Sequence, residues 1–279
     1  MELPQFEIVK TRTGAVSIRD NVSQEIMHNP VGPWLEANSL YIEQSGLARR
    51  LCEDLDREIV VYDVGLGAAA NALATLHCAQ AIRKRRPLRL ISFERNLDLL
   101  RFALENAAQF AHFTGFEAAI KSLLENGIWQ QEGLVWELRH GDFLQQVQHE
   151  RTPAHLVFYD PYSYKKNPDM WSTDAFKKIR AKCLNSAGEG GVLFTYTRAT
   201  PIRVAMLLAG FFVGQGTATG AKEETTQAAA RLEDLQSPLG ETWLRRWERS
   251  HNPNAAGAMP EQFAETRAFI QNHIQFSTT

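Results

Sequence analysis

Cysteine is scarce in this 279-residue chain: Cys52, Cys78 and Cys183 stand far apart, and none belongs to a CxxC pair. That excludes a disulfide framework and gives no support to a structural zinc site. The longest clean apolar stretch, 204–213, falls well short of the roughly 20 residues needed to cross a bilayer. The opening MELPQFEIVK lacks the basic-then-apolar pattern of a secretory leader. Neither sign of charge dominates. Thirty Lys and Arg against 32 Asp and Glu leave a formal net charge of −2, so no whole-molecule field draws the chain onto nucleic acid, although a local basic face stays open. The eight histidines show no HExxH or paired spacing, and Ser163 lies outside any GxSxG elbow, so metal catalysis and hydrolase chemistry have no sequence support. Internal repeats and long linkers are absent. An apolar fraction of 44% with 22% charged residues argues for an ordinary globular fold, expected to be soluble and cytoplasmic.

Residues 58–94 carry most of the fold information. EIVVYDVG is a short β-branched run suited to a strand buried on both faces, and it breaks at Gly65-Leu66-Gly67. A run of helix formers follows over 68–82, and LRLISFE over 88–94 reads as a second buried strand; together they make a right-handed βαβ unit. The alternation continues: one helix over 97–124, strands over 134–142 and 155–161, a basic amphipathic helix over 173–184, a strand over 190–197 and a helix over 201–208. FFVG and TTQAAAR then suit a closing antiparallel pair. The expected fold is a doubly wound α/β sheet, mostly parallel, with its core over 58–230. Residues 1–57 read as a lid-like extension and 231–279 as a helical tail packed on the core through Trp243, Leu244 and Trp247.

Asp63-Val-Gly65-Leu-Gly67 ends the first core strand and opens a helix, where glycine lets backbone approach a ligand and the helix N-terminus offers free N–H groups. Glu94 ends the next strand, where a carboxylate can accept both hydroxyls of a ribose. A structural turn is the plainer alternative. Nicotinamide binding expects GxGxxG, yet position 70 is Ala, so the pyrophosphate reading weakens. S-adenosyl-L-methionine carries no phosphate, and Asp63, Glu94 and Asp142 at successive strand ends suit such a cationic, ribose-bearing ligand. Asp160-Pro-Tyr-Ser163 ends the fourth core strand, beside the point where strand order reverses and ligands collect in open α/β sheets. Asp160 there can orient an amine nucleophile; the alternative is simple Asp-Pro turn chemistry. Basic residues cluster in three places: Lys165, Lys166, Lys177, Lys178, Arg180 and Lys182; the segment 83–89; and Arg245, Arg246 and Arg249. The first adjoins the Asp160 strand, so it reads either as a phosphate contact or as an ordinary solvated charged face. The second lies at the opposite end of the sheet and reads as structural. Cys78, on an apolar helix, reads as core.

The run FYDPYSYKKNPDMW, 158–171, resembles the signature of the MnmC-like methyltransferases, which modify the wobble uridine of tRNA. The likeness extends to Asp63–Gly67, Glu94, Gly141-Asp142, the GGVLFTYT strand, the 214–226 segment, and Glu25–His28, Gly32-Pro33 and 41–46 near the N-terminus. Two positions depart from the family pattern: Ala69 replaces the usual third glycine, and Tyr164 stands where many relatives have proline. The resemblance implies a Rossmann-like, S-adenosyl-L-methionine-dependent N-methyltransferase that releases S-adenosyl-L-homocysteine and acts on the 5-aminomethyl group of wobble (2-thio)uridine. It implies no metal, no flavin and no membrane partner. Asp160 would orient the nucleophile, Asp63, Gly65 and Gly67 would form the methionine-side turn, Glu94 would hold the ribose and Asp142 the adenine side. Tyr162 and Trp171 would stack on a flipped-out base, with Ser163, Lys166 and Asn167 shaping the entrance. Three rivals stay open: methylation of another amine, a non-catalytic S-adenosylmethionine- or RNA-binding module, and a nicotinamide-dependent dehydrogenase.

Overall fold

The computed structural model describes residues 4–11, 13–22, 24–26, 32–53, 56–186, 189–218 and 223–277. Met27, His28 and the 219–222 part of the 214–226 segment, both named above, lie outside the described residues. An N-terminal antiparallel sheet comes first, with β1 (Phe6–Lys10), β2 (Val16–Asp20) and β3 (Glu25–Ile26). Helix α1 (Pro33–Glu36) then runs into a π-helical stretch, Ala37–Glu43, and α2 (Leu47–Cys52) closes the segment.

The core begins with β4 (Ile59–Val64), α3 (Ala70–Gln80), β5 (Leu88–Glu94), α4 (Asp98–Glu105) and α5 (Glu117–Asn126). It continues through β6 (Ile128–Gln131), β7 (Leu134–His140), α6 (Phe143–His149), β8 (Leu156–Tyr159) and α7 (Thr173–Arg180). After the short pair β9 (Asn185–Ser186) and β10 (Glu189–Gly190) come β11 (Val192–Thr195), α8 (Thr200–Leu208), β12 (Phe212–Gly216) and β13 (Thr225–Ala229). Helices α9 (Glu241–Glu248) and α10 (Phe263–Gln271) complete the chain.

Eight strands form one sheet in the order β12-β13-β11-β8-β4-β5-β7-β6. From β11 to β7 the neighbours run parallel; β13, between β11 and β12, and β6 at the other edge are antiparallel. This is the α/β, Rossmann-like arrangement with antiparallel closing strands that the alternation predicts. The chain winds outward from β4 through β5 to β7, then returns to β8 on the other side, so order reverses between β4 and β8. Alternation along β4 divides the core in two. Ile59 and Val61 join one apolar layer, and Val60, Tyr62 and Val64 the other.

Two expected elements break. In place of one helix over 97–124, α4 stops where the Asn106 amide donates to the Phe102 carbonyl at 2.8 Å, and α5 starts only after Gly115, whose φ is +86°. Between them two tight turns bury Phe110 and Phe113. The basic helix ends at Arg180 rather than 184, because Cys183 bridges to Ala154 beside the sheet.

Both terminal segments are tied to the core. The Gln44 amide donates to Thr225 Oγ1 at 3.2 Å and accepts from the Thr217 N–H at 3.2 Å. Trp243 stacks on Phe276, and the Trp247 indole donates to the Pro253 carbonyl at 2.6 Å. At the β12 edge, the Gln275 side chain accepts from Val213 N–H at 2.8 Å and donates to the Val213 carbonyl at 2.7 Å. The segment following β13 covers the same edge, with Gln215 N–H on the Ser237 carbonyl and Leu239 N–H on that of Val213.

Candidate active site

The turn after β4 is built from three left-handed residues in a stretch of five. Gly65, Gly67 and Ala69 have φ of +89°, +52° and +62°. Gly65 is required by the protein's own backbone: a Cβ there would lie 2.6 Å from the Asp160 carbonyl oxygen. At Gly67 the same atom would have room, 3.7 Å from Leu99, so only the dihedral demands glycine. Ala69 is a left-handed alanine at the N-cap of α3, a conformation that ordinarily costs an L-residue about 1–2 kcal/mol.

Glu94 reaches back from β5 into this turn. Its Oε2 accepts from the Gly67 N–H at 3.1 Å, and Oε1 accepts from Arg95 and Asn96 N–H at 2.8 and 3.0 Å. Asp142 caps α6, accepting from Gln145 N–H at 3.2 Å. Asp63 behaves differently from the other strand-end acids. Val64, not Asp63, faces the cavity; Asp63 is fully buried on the opposite side of the strand. Its Oδ2 accepts from Ser92 Oγ at 2.8 Å, Ser92 Oγ accepts from the Trp136 indole at 2.9 Å, and Oδ1 has no partner among the described residues. Burial pushes this carboxyl up to about 7, with Asp160 and Glu94 nearby adding to the shift and the Ser92 bond opposing it.

Asp160 follows β8, its N–H fixed to the Val64 carbonyl at 2.9 Å. Its Oδ2 accepts from Asn71 Nδ2 at 2.9 Å, and the phenol of Tyr41, which donates to the Tyr159 carbonyl at 3.5 Å, lies close by. Tyr41 sits on the π-helical stretch, wholly buried, its phenol pushed far up by burial first and by Asp160 next.

These groups surround one cavity of about 680 Å³. Gly65, Gly67, Glu94, Asp142, Asp160, Tyr162, Ser163 and Asn167, all named from the sequence, line it. Local patterns gave no sign that the N-terminal segment would supply Asp20, Glu25 and Glu36 to the same cavity. Ser163 Oγ donates to Glu25 Oε1 at 3.1 Å, and Asp20 and Tyr162 line the cavity near one another, the Asp20 charge adding to the upward shift of the phenol that burial causes. With Asp169, seven carboxyl groups line the cavity against one base, Arg95, among the described lining residues.

Trp171 and Lys166 do not line it. Trp171 is 1% exposed, its indole donating to the Tyr162 carbonyl at 2.9 Å and its ring packed edge-on against Tyr159 and Tyr196. It supports the wall and has no free face for a base. Lys166 is exposed beside Lys165, between the lining residues Ser163 and Asn167. The basic cluster is smaller than its sequence suggests. Lys178 pairs with Asp174, Arg180 donates to the carbonyls of Gly210 and Ala230, and Lys182 donates to those of Gln148 and Glu150. Lys165, Lys166 and Lys177 are exposed to solvent. In the 83–89 segment, Arg86 is buried against the carbonyls of Arg57 and Glu58 and Arg89 pairs with Glu58, in keeping with a structural role.

The profile of an S-adenosyl-L-methionine-dependent methyltransferase family matches residues 104–231. The chain is 27% identical over 219 residues to the tRNA 5-methylaminomethyl-2-thiouridine biosynthesis bifunctional protein MnmC of Vibrio cholerae serotype O1, a match covering 72% of this chain and 32% of that protein. An uncharacterised protein of Methanocaldococcus jannaschii is 23% identical over 224 residues, covering 79% and 58% respectively. The chain therefore spans less than two thirds of the length of either curated relative. The crystal structure of MnmC2 from Aquifex aeolicus, 21% identical, matches 100% of this chain and 87% of its own with a TM-score of 0.73, the same fold throughout.

Proposed function

We propose, from the chain's likeness to S-adenosyl-L-methionine-dependent methyltransferases of the MnmC kind, that it methylates the primary amine of a 5-aminomethyl group on the wobble uridine of tRNA. The observation that carries this reading is the acidic cavity, in which Asp160 stands beside the glycine turn at the reversal of strand order. Both reactants are cations: a sulfonium donor and an alkylammonium acceptor. Seven carboxyl groups against one arginine suit that pair and disfavour a phosphate-bearing cofactor.

The residues present fit S-adenosyl-L-methionine. The three left-handed positions open backbone space at the head of α3, Glu94 lies at the β5 end for the ribose, and Asp142 lies at the β7 end for the adenine. The bound cofactor supplies an electrophilic methyl group on sulfur. Asp63 contributes from beneath the turn as a buried acid and makes no direct contact with the cavity.

Asp160 binds the acceptor ammonium, aims its nitrogen and takes up or passes on the proton that must leave before attack. Because a carboxylate also stabilises the ammonium, orientation is its principal work. Tyr162, 39% exposed at the rim, offers an aromatic face to the uracil; Ser163 and Asn167 contribute polar edges. The N-terminal segment closes one side of the cavity through the Glu25–Ser163 bond and the lining carboxyls Asp20 and Glu36, so that residues 1–57 act as a lid on the 58–230 core. Phosphates of the anticodon arm meet Lys165, Lys166 and Lys177.

The test is transfer of labelled methyl from S-adenosyl-L-methionine to tRNA carrying 5-aminomethyluridine, with unmodified tRNA and Asp160→Asn protein as controls. Label appearing only with the aminomethyl tRNA and the native protein supports the assignment. Cofactor binding without label would discard the tRNA substrate and leave another amine as the acceptor.

A further inference from the structure

We infer that Asn71 and Tyr41 are positioning residues for the reaction, two neutral donors on separate elements that hold the Asp160 carboxylate in a single orientation for the acceptor ammonium. The inference rests on the reading of Asp160 given above.

Asn71 lies in the first turn of α3 and is 4% exposed. An asparagine near a helix start ordinarily uses its side-chain oxygen to accept a free helix N–H. Here the amide instead donates Nδ2 to Asp160 Oδ2 at 2.9 Å, and Oδ1 has no hydrogen-bond partner among the described residues. Turning the amide over would set an oxygen against a carboxylate oxygen, so repulsion fixes the donor toward Asp160. A purely structural asparagine at this burial would satisfy both ends. This one leaves an acceptor unused and keeps its donor on the acid.

Tyr41 approaches from another element. It sits on a π-helical stretch, a rare geometry that often marks functional sites. Its ring packs on Phe158 with centroids 5.1 Å apart, and its hydroxyl donates to the Tyr159 carbonyl at 3.5 Å, close enough to the Asp160 carboxyl for that charge to add to the upward shift of the phenol that burial causes. The main chain of Asp160 is already fixed by its bond to Val64 and by the close fit against Gly65. What stays free is the carboxylate torsion, which is broad for aspartate. The Asn71 donor and the neighbouring Tyr41 hydroxyl, on different sides, remove that freedom before the substrate arrives. Both are neutral, so they orient the carboxylate without adding a positive charge of their own to compete with the acceptor ammonium.

The experiment compares Tyr41→Phe, Asn71→Ala and Asp160→Asn, and the double variants Tyr41→Phe/Asp160→Asn and Asn71→Ala/Asp160→Asn. Each is assayed for cofactor affinity by calorimetry and for kcat and KM on tRNA carrying 5-aminomethyluridine. Tyr41→Phe removes one oxygen from a ring that stays packed, so it remains informative if Asn71→Ala folds poorly. Each single variant is expected to lower kcat ten- to a hundredfold, the scale of a misplaced catalytic group, with cofactor affinity within threefold of native. In the Asp160→Asn background the same changes should lower residual kcat less than threefold, because the orientation they provide serves a carboxylate no longer present. Equal losses in both backgrounds would reduce the two residues to structural support and overturn the inference. Native activity in both single variants, with Asp160→Asn inactive, would overturn it while leaving Asp160 its role. Full activity of Asp160→Asn would instead overturn the reading on which it rests.

Discussion

Replacing Asp63 by asparagine should change how the protein's stability depends on pH, and should reverse the sign of the stability difference between the two proteins. The unfolded chain releases this proton near 3.8, and the folded protein near 7. Below both values the carboxyl is neutral in each state and contributes no pH dependence. As pH rises from 4 to 7 the unfolded state ionises while the buried group cannot, so stability falls and then levels off. One pH unit between the two values is worth about 1.4 kcal/mol, giving a cost of roughly 4 kcal/mol above pH 7. The Asp63→Asn variant carries no such dependence. Its amide can still accept from Ser92, but it places amide hydrogens where Asp63 Oδ1 has no partner among the described residues, at about 1–3 kcal/mol. Native protein should therefore be the more stable near pH 4 by about 1–3 kcal/mol, and the variant the more stable at pH 8 by a similar margin. Urea unfolding followed by circular dichroism at pH 4, 5.5, 7 and 8.5 measures both curves. Groups unaffected by the substitution cancel in the difference. A difference constant to within about 0.5 kcal/mol over that range would refute the buried, late-titrating acid.

Gly65→Ala should be among the most destabilising single changes in the core, by about 2–4 kcal/mol, because it adds a left-handed alanine and a Cβ 2.6 Å from the Asp160 carbonyl; a variant within about 0.5 kcal/mol of native in urea would contradict that packing. Ala69→Gly acts in the opposite direction. Relief of about 1–2 kcal/mol of left-handed strain, set against the extra chain entropy of glycine, leaves a gain of up to about 1 kcal/mol, readable as a rise in Tm. The double change Lys165→Ala with Lys166→Ala should weaken tRNA binding and lower the slope of log affinity against log salt by about 1–2, while cofactor affinity holds. An unchanged slope would place the phosphates elsewhere.

Much of the sheet is legible from residues alone because its central strands are buried on both faces. IVVYDV and LRLISF have to be apolar almost throughout, and turn residues bound them. The rim acids are legible for a related reason, since polar residues reappear where a buried strand emerges. Which way each acid points is not. Asp63 and Val64 are neighbours on opposite faces, and only the placement of Ser92 and Trp136 decides that the acid turns into the sheet. The N-terminal carboxyls are hidden for a different reason. Glu25 meets Ser163 across 138 positions of chain, and nothing local to either residue encodes that contact. Trp171 looks like a free aromatic beside a site until Tyr159, Phe176 and Tyr196 close around it. Arg180 and Lys182 look like a basic face, yet their long side chains fold back onto main-chain carbonyls.

The amide of Gln275 on Val213 bears on where this molecule can be cut. An outermost strand with unsatisfied main-chain groups is a template for pairing with another chain, and β12 is such a strand. Here 235–239 and Gln275 occupy those groups. The family match ends at residue 231, ahead of both. A fragment that keeps the N-terminal part but ends at residue 231 would retain every strand of the sheet and the whole acidic cavity, but would leave its last edge bare and open to self-association. The edge-protected unit thus extends past the family match, and an expression boundary set at residue 231 would remove this cover from β12.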